Sequence, residues 1–476
     1  MSSILPALHE IQSALPAVQS AANNQPSQDE ANASGFTFTG TGALPSCYAV
    51  TELATASLAA SGGELARYLK ATGRDGGDVI VDQRLSSLWF GFSTRAVGWD
   101  FPSIWDAIAG DYATADGWIR LHTNKPEHRD KALQVLRCDA DRDAVATAVK
   151  LWNADELEKR IVDAGGCAAR MMSREQWLVH PQGRAVTAEP LIAWSEIELP
   201  ANARTARPLL DSSVASSGRP LAGLKVLDLT RVLAGPACTR LLAAFGAEVL
   251  RIDPPDWNEF LVTVEMSVGK RRAGLDLKQP GDLACLKALM AEADVLVHGY
   301  RSDALEQLGI GNDVRASINP TMIDVALCAY GWTGPWATRR GFDSLVQMSG
   351  GIAEAGMQHY KSERPHPLPV QALDHATGYL MAAAVLNALT HRASSGSVRR
   401  ARLSLARTAE LLVSLQVPGT QEIINDPVDS DYQPETELTS WGKLSRLKFP
   451  LQLARAPMLF ERPAGELRVD SAQWLI

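Results

Sequence analysis

Residues 224–255, "LKVLDLTRVLAGPACTRLLAAFGAEVLRIDPP", constrain the fold more than any other stretch of this chain. Two short apolar runs, "KVLDL" and "EVLRID", flank a segment with helical spacing. Short apolar runs that do not alternate with polar residues are those of strands buried on both faces. A strand, a crossover helix and a second strand in succession form a parallel pair. The pattern continues in "AGLDL", "ADVLVHGY" and "TMIDVALCAYG", with helical segments such as "DLACLKALMAEA" between them. The expected fold is α/β: an open parallel Rossmann-like sheet as a large domain, with its binding crevice at the carboxyl ends of the strands.

A dinucleotide is the usual occupant of such a crevice, with Asp253 placed to read a ribose. The loop argues against it. "TRVLAGPACT" is not GxGxxG, and Leu233 and Pro236 stand where the pyrophosphate fingerprint needs glycine.

With 476 residues the chain is too long for one ordinary core. Ahead of the large domain, "GDYATADGWIRLHTN" reads as strand, turn and strand, and "AVATAVKLWNADELEKRIVDAGG" as helical segments. Together they predict a small α+β domain. The polar, proline-broken stretch 201–219 predicts a linker. The resulting map is a flexible tail at 1–35, a partial segment at 36–99, the small domain at 100–200, the linker at 201–219 and the large domain at 220–476. Within the tail, Leu5, Leu8, Ile11 and Leu15 have the spacing of a short amphipathic helix.

A net charge of −8 argues against a non-specific nucleic-acid binder. No apolar run approaches the roughly 20 residues that span a bilayer, and the N-terminus lacks the pattern of a secretory signal. Six cysteines without CxxC spacing predict reduced thiols in a cytoplasmic protein. No metal is expected, because pairs such as His298 and Asp303 lack further ligands.

Read in order, "GLKVLDLTRVLAGPACTRLLAAFGAEVLRID", "GKRRAGLDLKQPGDLACLKALMAEADVLVHGYRSDALEQLGIG", "INPTMIDVALCAYGWTGP", "GFDSLVQMSGG" and "ALDHATGYLMAAAVLNALTHR" resemble the family III CoA-transferases of CaiB/BaiF type. That family includes formyl-CoA and carnitine CoA-transferases and alpha-methylacyl-CoA racemase. The likeness runs from Leu221 to about Arg407. "YATADGWIRLHTN" through "HPQGRA" looks like the family's small domain, which in relatives follows the large domain, so the domain order here is rearranged.

The resemblance implies transfer of CoA between an acyl-CoA thioester and a carboxylic acid, with CoA as substrate and no tightly bound cofactor. It allows a homodimer. It places Asp374 on the family's catalytic aspartate. Asp is also a favoured helix N-cap, and the capping and nucleophile readings are compatible. A carboxylate at a helix N-terminus is expected to stay ionised. Arg231, Val232, Leu233 and Ala234 match a loop that contacts CoA. Lys270 and Arg271 match a turn that could hold a CoA phosphate, and Arg340 matches a basic residue beside the CoA chain. Pro254 departs from the family, where many relatives carry arginine. His375 is expected to be a satisfied structural histidine, since adjacent helical residues do not face one another. The racemase branch carries histidine in a "GHD" triplet. Here the triplet is "GFD", and Phe342 cannot carry a proton, so transferase chemistry is preferred over racemase or lyase chemistry. A non-catalytic CoA-binding protein is the reading from a different class.

One internal echo remains. "VTELATASLAASGGELARYLKATGRDGGDVIVD" resembles "QALDHATGYLMAAAVLNALTHRASSGSVRRARL", with Glu52 standing where Asp374 stands and Ala54-Thr55 aligned with Ala376-Thr377.

Overall fold

The computed structural model describes residues 4–18, 35–199, 218–395, 397–419 and 421–475. All but the last two residues of the expected linker lie outside the described residues, as does most of the expected flexible tail.

A seven-stranded sheet forms the centre. From edge to edge its strands are Arg271–Gly274, Glu248–Asp253, Lys225–Leu229, Val295–His298, Ile323–Cys328, Ser397–Ser404 and Ala193–Glu198. The first six are parallel and the last is antiparallel. Taken by chain order, those six lie as third, second, first, fourth, fifth and sixth. This is the doubly wound arrangement, with its reversal between Lys225–Leu229 and Val295–His298. The parallel Rossmann-like sheet expected from the apolar runs is therefore present. The "AGLDL" strand is displaced to Arg271–Gly274. The Asp282 carboxylate accepts the Asp276 N–H at 2.7 Å and draws that backbone into the entry of the Pro280–Glu292 helix.

The small unit has its own antiparallel sheet of Gly110–Ala113, Trp118–Leu121 and Ala168–Arg170. The expected boundary at residue 200 needs correction, because Ala193–Glu198 pairs with residues Ser397 to Arg402 at the edge of the large sheet. The partial segment at 36–99 is woven to the other end of the chain. Phe36–Thr39 and Val79–Asp82 form a sheet with Leu451–Leu453, and Thr94–Val97 pairs with Gly442–Leu447. The Ile4–Ser13 helix buries Ile4, Ala7, Leu8 and Ile11 against Val50–Ala71, which leaves Leu5 outside the apolar stripe. All six cysteines are free thiols. No helix among the described residues is long and apolar enough to cross a membrane.

The Ala372–Ser394 helix is buried on every side. It is enclosed by the sheet, the Ala234–Ala244 helix and the Val50–Ala71 helix. A helix this rich in alanine, with glycine at its closest contact, lets three neighbours approach together. Ser61 Oγ donates to the Tyr379 carbonyl at 2.7 Å across the pair of long helices.

The echo has a structural counterpart. Val50–Ala71 and Ala372–Ser394 are each followed by a strand and then by a helix, Gln83–Trp89 and Leu405–Ser414, capped by Asp82 and Ser404. Glu52 and Asp374 are separated by the same number of residues as the two caps, so the register holds without insertion. Their surroundings differ. Glu52 is buried and accepts from Gln421 Nε2 at 3.0 Å, two residues before the isolated bridge of Ile423 to Ala43. Glu52→Gln should therefore leave turnover within about threefold and cost about 1 kcal/mol of stability. Parallel assays of turnover and chemical denaturation check this, and loss of turnover in a folded variant would place Glu52 in the active site.

Candidate active site

Asp374 lies in the first turn of the Ala372–Ser394 helix, but it does not cap it. Gln371 occupies the N-cap position and supplies no side-chain bond. The cap comes from another helix: Asp343 Oδ2 accepts the Asp374 N–H at 2.9 Å and Asp343 also takes the Leu373 N–H. The Asp374 carboxylate makes no hydrogen bond among the described residues, and the residue is only 7% exposed. The expectation that Asp374 caps its helix is thus overturned, and its surroundings work against the ionised form instead of favouring it. Burial pushes its pKa well above the ordinary carboxylate range, and the charge of Asp343 pushes it further. The helix N–H groups that would favour its anion are engaged by the other carboxylate.

Asp343 is itself buried. Its Oδ1 accepts from Gln347 Nε2 at 2.5 Å, and Gln347 Oε1 accepts the Leu368 N–H at 2.8 Å. Burial raises its pKa to about 6 against the pull of these bonds and of the Arg120 charge.

Gly378, one turn along from Asp374, explains how the nucleophile candidate meets the loop after the first sheet strand. A Cβ there would sit 2.3 Å from the Ala234 carbonyl oxygen and 2.8 Å from Ala237 Cβ. Glycine alone permits that approach. Leu233 and Ala234 are buried in the loop-to-helix junction. Val232 has φ 65°, a left-handed conformation costly for a β-branched residue, and its N–H donates to Glu259 Oε2 at 3.0 Å. Arg231 and Tyr300 meet at the sheet's reversal point, where Arg231 Nη2 donates to the Tyr300 hydroxyl at 3.2 Å. The guanidinium lies 5.3 Å from the Trp257 ring centre and 5.2 Å from that of Tyr300, distances typical of cation–π contact.

Lys270 and Arg271 are not at a phosphate-binding surface. Lys270 is fully buried, and Nζ donates to Asp228 Oδ2 at 3.1 Å, the Pro236 carbonyl at 3.0 Å and Thr239 Oγ1 at 2.6 Å. Burial lowers its pKa to about 8 despite the Asp228 charge. Arg271 pairs with Glu248 at 3.2 Å and donates to the carbonyls of Gln473 and Ser471, pinning the C-terminal tail. A basic turn motif suggests a surface open to phosphate or solvent, whereas this turn folds inward. Arg340 is exposed and makes no hydrogen bond or ion pair among the described residues. The Pro254 carbonyl accepts from Arg468 Nη1 at 3.3 Å. His375 is structural but not fully satisfied: it stacks on Phe90 at 5.3 Å, its Nδ1 has no partner among the described residues, and burial lowers its pKa to about 3. Asp253 is bonded by Arg251 at 2.9 Å and fully buried, so it is not presented to a ribose.

Sequence reasoning misses Asp343, Gln347, Arg120 and His122. Asp343 stands in the quoted "GFD", where attention falls on the middle residue alone. His122, from the small unit, stacks on Phe342 with ring centres 3.7 Å apart, and burial lowers its pKa to about 3. No local pattern announces that pairing.

Residues 221–436 match the model of CoA-transferase family III. An acyl-CoA transferase of Fusarium pseudograminearum is 34% identical over 221 residues, covering 41% of this chain and 47% of that protein. An acyl-CoA transferase of Gibberella moniliformis is 27% identical over 371 residues, 71% of this chain and 64% of that protein. The chain thus spans about half to two thirds of the length of these relatives. The crystal structure of a CaiB/BaiF family protein from Brucella suis is 26% identical, covers 47% of this chain and 65% of that one, and superposes with a TM-score of 0.37.

Proposed function

We propose that this protein moves CoA from an acyl-CoA thioester to a carboxylic acid with Asp374 as nucleophile, a reading supported by the match of residues 221–436 to the model of CoA-transferase family III. The observation that carries the proposal is the Asp374 carboxylate. It is buried, lies in the first turn of a helix, makes no hydrogen bond among the described residues, and sits one turn from the contact with Ala234. No described residue holds this carboxylate, which leaves it free to meet a reactant at the small opening that remains.

The ionised Asp374 oxygen attacks the acyl carbonyl, the C–S bond breaks, and the electron pair leaves on the CoA sulfur. The thiolate then attacks the aspartyl carbonyl of the mixed anhydride, releasing the donor acid as carboxylate and leaving an aspartyl-CoA thioester. The acceptor carboxylate attacks that thioester and expels the thiolate again. The thiolate takes the new acyl group, which regenerates Asp374. Arg231, held between Trp257 and Tyr300, and the exposed Arg340 supply positive charge for CoA phosphates. Val232, Leu233 and Ala234 continue from Arg231 to the helix that Gly378, one turn from Asp374, packs against.

Incubation with a mixture of acyl-CoA thioesters, followed by hydroxylamine and peptide mass spectrometry, tests this reading. The expected product is a hydroxamate on the peptide containing Asp374. Sustained turnover with an unmodified Asp374 peptide would reject the covalent route.

A second reading, exchange of the alpha proton of a CoA thioester, is favoured by one observation. The imidazole of His122 lies against Phe342, so the small unit brings a nitrogen base to the triplet that lacks one. Deuterium incorporation from solvent at the alpha carbon, lost in His122→Ala, would favour that chemistry over transfer.

A further inference from the structure

We propose that Asp343 is a positioning residue of this site: it takes the amide hydrogens at the start of the Ala372–Ser394 helix and so holds the Asp374 carboxylate off the backbone, beside a second negative charge. The inference rests on Asp374 being the nucleophile.

Three separate segments meet at Asp343. It is the first residue of the Asp343–Ser349 helix, it accepts the Asp374 N–H at 2.9 Å, and through Gln347 it is tied to the Leu368 N–H at 2.8 Å. Only 1% exposed, it does not present itself to a substrate. Its effect passes through its neighbour.

That effect has two parts. An acidic side chain in the first turn of a helix ordinarily turns back to the free N–H groups there. With the Leu373 and Asp374 N–H groups engaged by Asp343, the Asp374 side chain has no such partner and stays available for attack. The adjacent charge also makes Asp374 more basic. A more basic carboxylate is the stronger nucleophile toward a thioester once it loses its proton.

The charged groups around the pair are few. Arg120, on the Trp118–Leu121 strand of the small unit, favours the ionised form of Asp343. His122 lies on Phe342 and His375 follows Asp374, and burial keeps both imidazoles neutral. The exposed Arg340 precedes Asp343 by three residues, on the loop that leads into its helix. Arg240 and Glu265, which pair with each other, face His375 on the far side.

Asp343→Asn is the informative variant, because asparagine keeps an oxygen for the Asp374 N–H while removing the charge. The acid limb of kcat/KM against pH should move down by about one unit. At its plateau kcat should fall roughly tenfold through the less basic nucleophile, with KM for acyl-CoA within about twofold. A readout independent of turnover is the pH titration of the Asp374 carboxyl infrared band, identified as the band that Asp374→Asn lacks. In Asp343→Asn that band should titrate at lower pH. A folded Asp343→Asn protein with an unmoved acid limb and an unmoved band overturns the positioning role. An Asp374→Asn protein that keeps its activity overturns the nucleophile assignment instead, so the two failures are told apart.

Discussion

Asp374→Asn should lower transferase turnover by at least about a thousandfold, close to 4 kcal/mol of barrier, while leaving the protein folded. Asparagine keeps the shape of the side chain but cannot form the mixed anhydride. The helix does not lose its cap, because the cap belongs to Asp343. The same substitution should change the pH dependence of stability in a stated direction. The folded-state pKa of Asp374 is raised, first by burial and then by Asp343. Below the unfolded carboxyl value, near pH 4, both states hold the proton and the residue has no differential effect. As pH rises past that value the unfolded chain ionises while the folded one retains its proton, so wild-type stability falls until the folded pKa is passed. Melting temperatures across pH 4–9 should therefore shift in favour of Asp374→Asn at the alkaline end. A pH-independent gap between the two proteins would contradict a raised pKa, and an active variant would remove the proposed mechanism.

Lys270→Met should lower stability by about 3–5 kcal/mol, the usual result of leaving one partner of a buried ion pair behind. Asp228 is fully buried with only Lys270 Nζ as a directly bonded cation among the described residues, at 3.1 Å. Burial alone would raise its pKa, but Lys270, Arg251 and the hydroxyls of Thr230 and Thr239 bring it below the ordinary range. The methionine side chain fills much of the same volume and carries none of that charge. The loss should appear as a lower midpoint in chemical denaturation, with the acyl-CoA KM of the remaining folded protein little changed. A variant of normal stability whose KM rises steeply and follows salt concentration would return Lys270 to the phosphate-binding role that its turn motif suggests.

The two experiments separate a residue kept for chemistry from one kept for packing, a distinction the local sequence does not draw. Asp374 and Lys270 each stand in a motif and each carry a charge. Asp374 has a buried carboxylate without a hydrogen bond among the described residues, whereas every described partner of Lys270 Nζ is internal.

The local choices are legible in the residues themselves. The apolar runs at Lys225–Leu229, Glu248–Asp253, Val295–His298 and Ile323–Cys328 are strands because a parallel sheet covered on both faces requires uninterrupted apolar side chains. The alanine-rich run begins its helix beside Asp374 because its residues favour helix and tolerate close neighbours. The register shared by Glu52 and Asp374 was likewise visible as spacing. Which carboxylate caps the helix is set by long-range packing, since Asp343 lies 31 residues before the amide it accepts. The same packing decides that Lys270 faces Asp228 rather than solvent, that His122 crosses from the small unit to Phe342, and that Ala193–Glu198 leaves the small unit for the sheet edge. Propensity and periodicity act over a turn or a strand, so they say where a helix starts. Partners for buried polar groups come from whichever distant segment packs nearest, and a spacing pattern within one segment carries no information about that neighbour.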